Sequence, residues 1–144
     1  MDTPSLVIDI EIVEKNIETM RKFLVSKKTK LRAHTKIHKS PFLALLQIAG
    51  GSSGITCAKL GEAEVMVQSG ISDILIANEI VGKQKTKRLA NLAKYCDLKV
   101  AIDNFDNAKD ISSAASAAGS QVGLVVDVNL STGGSFEEKK LGGM

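Results

Sequence analysis

The sequence predicts an α/β protein built on a parallel β-sheet. Three observations point to it. Short apolar runs recur along the chain, stretches of helical period separate them, and glycines stand at many of the joins. Apolar runs buried on both faces and separated by helices are the pattern of right-handed βαβ units.

Each element can be justified in order. Thr3-Pro4 introduces a β-rich run, Ser5 to Ile10. Val13, Ile17, Met20 and Leu24 then recur at steps of four, three and four, which places them on one helical face. Lys30 to Ile37 reads as a strand. Ser40-Pro41 offers an N-cap and a first-turn proline to a helix carrying Phe42, Leu43, Leu46 and Ile48, which Gly50-Gly51 stops. Ile55 to Ala58 is a short buried strand, Gly61 to Gln68 a helix ended by Gly70, and Ile71 to Ala77 the next strand. Lys83 to Lys94 is a helix that turns Leu89, Leu92 and Ala93 inward, and Leu98 to Ile102 is a strand. Asn104 caps an alanine-rich helix ending near Gly119, and Val122 to Val128 is the last strand.

From Lys30 onward there are five strand-helix repeats, the last without its helix. Two architectures accommodate them. One is an open doubly wound sheet; the other is a (β/α) barrel, which needs eight strands and about 250 residues. Pattern alone favours the open sheet. No G-x-G-x-x-G follows a strand, so a dinucleotide fingerprint is absent, and Gly50 to Gly54 lacks the lysine of a P-loop.

Composition narrows the function class. With 44% apolar and 24% charged residues, the 144-residue chain is an ordinary globular sequence, long enough for one core. It has no Trp and one Tyr, which argues against a carbohydrate-binding or base-stacking surface. The formal charge of +3 is spread along the chain, and the runs at Lys27, Lys28, Lys30 and at Lys83, Lys85, Lys87, Arg88 read as solvated helix faces, so no nucleic-acid partner is expected. Cys57 and Cys96 are too few for a disulfide framework, and Cys57 reads as a buried reduced thiol. Neither a signal peptide nor a bilayer-length apolar run is visible, so a soluble cytoplasmic protein without a membrane partner is the expectation.

The strand at Lys30 to Ile37 differs from the others. On a period of two, Leu31, Ala33, Thr35 and Ile37 share one face, and Arg32, His34, Lys36 and His38 share the other. Four basic or titratable groups in a row are costly to bury without partners, so this face meets solvent or an anionic ligand. Arg32 fits either a surface ion pair or a site. His34 and His38 stand four apart, but no carboxylate or cysteine is placed to complete a metal site with them. Lys36 fits either a solvated lysine or an amine nucleophile toward an aldehyde, its two histidine neighbours favouring the neutral amine.

The segment Leu31-Arg32-Ala33-His34-Thr35-Lys36-Ile37-His38-Lys39-Ser40 resembles the R-P-H-x-K-T-H-K motif of the D-threonine aldolase and D-serine dehydratase group, which shares the alanine-racemase N-terminal barrel. Ala33 replaces the proline and Ile37 the second threonine. Asp2 to Asp9 looks like that group's D-T-P-A-L-V-x-D start. Gly54-Ile55-Thr56-Cys57-Ala58, Gly61-Glu62-Ala63-Glu64 and Asp73 to Asn78 look like its next two repeats. The resemblance implies a partial (β/α)8 TIM-type barrel, about five of eight strands, over residues 1–130, with a divergent tail at 131–144.

It implies that Lys36 forms the internal aldimine with pyridoxal 5'-phosphate at the C-terminal mouth of the barrel, with Arg32, His34 and His38 as cofactor-binding neighbours. The activity it implies is that of a lyase on a D-amino acid, either retro-aldol cleavage or β-elimination. A divalent metal belongs to the full-length family, whose metal ligands are absent here. Thr132 stands where the family carries an arginine facing the cofactor's phenolic oxygen. Two alternatives stay open: a non-catalytic pyridoxal-phosphate-binding protein, or an inactive truncated barrel that associates through its incomplete sheet or as a homodimer.

Overall fold

The computed structural model of the chain describes residues 2–128. Its elements are α1 (Ile10–Leu24), β1 (Ala33–His34), α2 (Pro41–Ala49), β2 (Ile55–Cys57), α3 (Leu60–Gln68), β3 (Asp73–Glu79), α4 (Lys83–Leu92), β4 (Asp97–Ile102), α5 (Phe105–Ala118) and β5 (Gly123–Val126). All five strands are parallel and stand in the sheet in chain order, β1-β2-β3-β4-β5.

That order decides between the two architectures. A doubly wound sheet reverses direction at a switch point and puts helices on both faces. A sheet that only advances, with every crossover of one hand, keeps its helices on one face and curls toward a barrel. The preference of the pattern for an open sheet is therefore corrected, and the five strands form an arc of a barrel.

The helix-facing side carries the core. Ile55, Cys57, Ile74, Ile76, Leu98, Val100 and Ile102 alternate along the strands and pack in one cluster with Ala44, Leu60, Ala63, Met66, Leu89 and Ile111 of the helices. The capping chemistry acts as its residue types require. Ser40 Oγ accepts the Leu43 N–H with Pro41 in the first turn, Asn104 Oδ1 accepts the N–H groups of Asp106 and Asn107, and α5 ends on Gly119 in the left-handed region (φ 66°).

Two expected strands are corrected. Ser5 to Ile10 forms no strand: Asp9 caps α1 through its contact with the Ile12 N–H, the helix begins at Ile10, and Leu6, Val7 and Ile8 are exposed and pair with no strand of the sheet. The strand expected over Lys30 to Ile37 contracts to Ala33–His34, because the chain turns at Lys36–His38. On α1 the face of Val13, Ile17, Met20 and Leu24 is only partly covered, and no residue of that helix is buried. Cys57 is a buried free thiol, as the apolar run predicted. No helix among the described residues is long and apolar enough to cross a membrane.

Candidate functional site

The carboxyl ends of barrel strands are where this fold carries chemistry. At the end of β1, Thr35 is fully buried and doubly tied to β2: its N–H donates to the Thr56 carbonyl at 2.9 Å and its hydroxyl to the same oxygen at 3.1 Å. The chain then leaves the sheet in a turn over Lys36, Ile37 and His38. Lys39 N–H closes that turn on the Thr35 carbonyl at 2.8 Å, with Lys39 itself at φ 49°. A non-glycine residue in the left-handed region is uncommon, and here the surrounding hydrogen bonds impose it. Lys36 is exposed at the tip, with no ion pair to it among the described residues.

Both histidines bend back onto this segment. His34 Nδ1 accepts the Lys36 N–H at 3.2 Å, and His38 Nδ1 accepts the Ser40 N–H at 3.0 Å. His38 Nε2 is enclosed and has no hydrogen-bond partner. Burial holds the His34 imidazole below its ordinary value of 6.5, and the Lys36 charge adds to this, against the opposing pull of Glu62 and the Thr56 backbone.

Arg32 lies at the other end of the strand. Its guanidinium crosses β2 and meets Asp73, at the start of β3, in two hydrogen bonds of 3.0 and 2.9 Å. Gly54 makes the crossing possible, since a Cβ there would press on the guanidinium and lie 2.6 Å from the Asp73 carbonyl oxygen. Lys99 joins the network, 3.2 Å from Asp73 and 2.6 Å from Asp97. Burial pushes the Asp73 carboxyl up, but the hydrogen bonds and charges of Arg32 and Lys99 outweigh it and keep the group below 3.8. The structure thus brings Lys36, His34 and His38 together and sets Arg32 apart, at the amino-terminal floor.

The inward face near Lys36 has room. Register places His34, Thr56, Leu75, Lys99 and Gly123 in one row across the sheet. Two residues further toward the mouth stand Ala58 after β2 and Ala77 in β3, while a register shift between Ile76 and Glu79 pairs Ala101 with Glu79 and, across to β5, with Val125. With only methyl side chains at Ala58 and Ala77, that part of the inward face leaves space for a planar cofactor ring. Two residues not singled out from the sequence as site residues brace it: Glu62 accepts the Ala58 N–H at 2.9 Å and Asn78 donates to the Ala58 carbonyl at 3.1 Å. Glu62 was visible only as part of a motif, since a first-turn helix residue gives no hint of the strand end it reaches. Among the described residues no group of three His, Cys, Asp or Glu could hold a metal ion. Thr132 lies outside the described residues.

A one-sided parallel arc of a barrel with an exposed lysine beyond its first strand defines a class, and the family comparison agrees with it. Residues 8–142 match the model of the family described as alanine racemase, N-terminal domain, and the chain belongs to that family, which implies pyridoxal phosphate as cofactor. Among its relatives, D-threonine aldolase of Arthrobacter sp. is 41% identical over 133 residues, covering 92% of this chain and 35% of the relative. The 3-hydroxy-D-aspartate aldolase of Paracoccus denitrificans is 36% identical over 135 residues, again 92% and 35%. The crystal structure of D-threonine aldolase from Filomicrobium marinum superposes with a TM-score of 0.86 at 42% identity, over 89% of this chain and 35% of that one. D-threo-3-hydroxyaspartate dehydratase from Delftia sp. HT23 gives a TM-score of 0.78 at 32% identity, over 88% and 33%. The chain therefore spans about a third of the length of the curated relatives it matches.

Proposed function

We propose that this chain is the cofactor-anchoring portion of a pyridoxal-phosphate-dependent lyase acting on a β-hydroxy D-amino acid, with Lys36 as the anchoring amine. The observation that carries the reading is Lys36 itself: exposed, free of ion pairs among the described residues, and held on a turn that the Lys39-to-Thr35 hydrogen bond closes just beyond β1. Pyridoxal phosphate, when bound, supplies an electron sink for negative charge at the substrate Cα. The protein's part is positional. Thr35 and the two histidines fix where the amine stands, and Glu62 and Asn78 hold the neighbouring strand end open.

Retro-aldol cleavage is the first reading, because the more similar relatives are named aldolases. It breaks the Cα–Cβ bond and moves the hydroxyl proton, leaving glycine and an aldehyde. The dehydratase relative supports β-elimination, which expels the hydroxyl and yields a keto acid and ammonia. Incubation with pyridoxal phosphate, borohydride reduction and peptide mapping test the anchor. The expected result is one reduced adduct at Lys36, lost in Lys36→Ala. An adduct on another lysine refutes it. Adduct formation without turnover of any D-amino acid favours a binding protein over a lyase.

A further inference from the structure

We infer that His34 and His38 are positioning residues for Lys36: each accepts, through Nδ1, a backbone N–H of the turn that presents the amine, and protonation of His34 releases the Lys36 end of it. This rests on the reading of Lys36 as the anchor and deepens it.

The geometry repeats itself four residues apart. Each histidine accepts, through Nδ1, the backbone N–H two residues on: Lys36 at 3.2 Å and Ser40 at 3.0 Å. An imidazole nitrogen that accepts an N–H carries no proton, so each ring in its neutral state is a Nε2–H tautomer. This is the closure that Asn and Asp side chains give to turns, performed here by an imidazole. The first bond fixes the peptide of Lys36 where the chain leaves β1. The second fixes Ser40, the N-cap of α2. Between them the Lys39 bond to Thr35 completes the turn. The tip that carries Lys36 is therefore suspended between two imidazoles, neither of which needs to touch a substrate.

The surroundings of His34 decide its charge. Burial and the Lys36 ammonium disfavour the imidazolium; Glu62 of α3 and the backbone of Thr56 in β2 favour it, and the former prevail. Glu62 is itself engaged by the Ala58 N–H. Neutral His34 is thus the state at pH 7. Protonation would fill Nδ1, remove the acceptor and free the Lys36 N–H. Because the folded value lies below 6.5, the bond is intact above that pH and is lost as pH falls through the lower folded value.

Two measurements on the full chain test this. Imidazole 15N–1H correlation spectra, without cofactor, are expected to show both rings as Nε2–H tautomers at pH 7, with the Lys36 amide shifting as His34 titrates. A Nδ1–H tautomer or an imidazolium at pH 7 for either ring, or a Lys36 amide indifferent to His34, overturns the inference. Borohydride trapping of pyridoxal phosphate is the second. His34→Leu is expected to lower trapping at Lys36 about tenfold at pH 7.5, the scale of one lost hydrogen bond. His34→Asn, which can accept the same N–H without titrating, is expected to restore most of it and to flatten the acid limb relative to wild type. Asn behaving like Leu in a folded chain refutes the acceptor role. If His34→Leu fails to fold, the tautomer spectra and the Asn variant still decide. Failure of wild-type trapping would remove the anchor reading while the spectra continue to test the histidines.

Discussion

Gly54→Ala should be among the most damaging single-methyl additions in the described structure. The added Cβ would lie 2.6 Å from the Asp73 carbonyl oxygen and 2.9 Å from its Cγ, and would press on the Arg32 guanidinium. The carbonyl belongs to β3 and cannot swing aside, so either the strands part or Arg32 leaves its place. Overpacking of this kind costs about 1–3 kcal/mol. Displacing Arg32 also breaks its two hydrogen bonds to Asp73. A pair with side chains 23% and 33% exposed is partly screened, which limits that loss to about 1 kcal/mol. The expected total is about 2–4 kcal/mol. With a urea slope of about 1–3 kcal/mol per molar, the midpoint should fall by about 1–2 M. Urea unfolding followed by far-UV circular dichroism reads it. In an Arg32→Ala background the carbonyl clash remains, so Gly54→Ala should cost about 1 kcal/mol less there, not nothing. A change under about 0.5 kcal/mol in the wild-type background, the scale of an ordinary surface substitution, would refute the claim that Gly54 is there for the crossing of Arg32.

Three further outcomes are expected. Asp73 has a folded-state value below 3.8, so its contribution is complete above that pH and is lost as pH falls through the lower value; Arg32→Met should shrink the loss of stability below about pH 4 in an acid titration of urea midpoints. Thr35→Val keeps the shape but removes the hydroxyl that donates to Thr56, and should cost about 1–2 kcal/mol by the same assay. Burial pushes the Cys57 thiol up against the opposing Thr35 hydroxyl, so it should react with an aromatic disulfide only after unfolding. Rapid labelling of Cys57 in the native chain would contradict its burial.

Much of the fold is legible because its causes are local. Ser40-Pro41 and Asn104 mark helix starts through groups that satisfy free N–H donors within three residues, and Ile74, Ile76, Leu98, Val100 and Ile102 are apolar because the helix-facing side of their strands is packed. The Ser5 to Ile10 run misleads for the complementary reason. β-propensity proposes a strand, but only pairing with a neighbour makes one, and this run pairs with no strand of the described sheet.

The site divides along the same line. Residue alternation alone puts Arg32, His34, Lys36 and His38 together, and the resemblance to the family motif is what implies a role for Lys36. The fold keeps Lys36 with the two histidines but sends Arg32 to Asp73, 41 positions away in the chain. Periodicity assumes that the strand continues, and the strand stops at His34. Where it stops depends on the Lys39-to-Thr35 bond and on two imidazole-to-backbone bonds, which no hydrophobic pattern records. By itself, then, the sequence determined the parallel α/β class and most element positions, because these follow from spacing and residue type. Only the tertiary structure decided the strand order that makes the sheet a barrel arc, the partner that holds Arg32, and the turn that lifts Lys36 away from the strand. Those features depend on contacts between residues far apart in the chain or on how a turn closes, and neither leaves a period in the sequence.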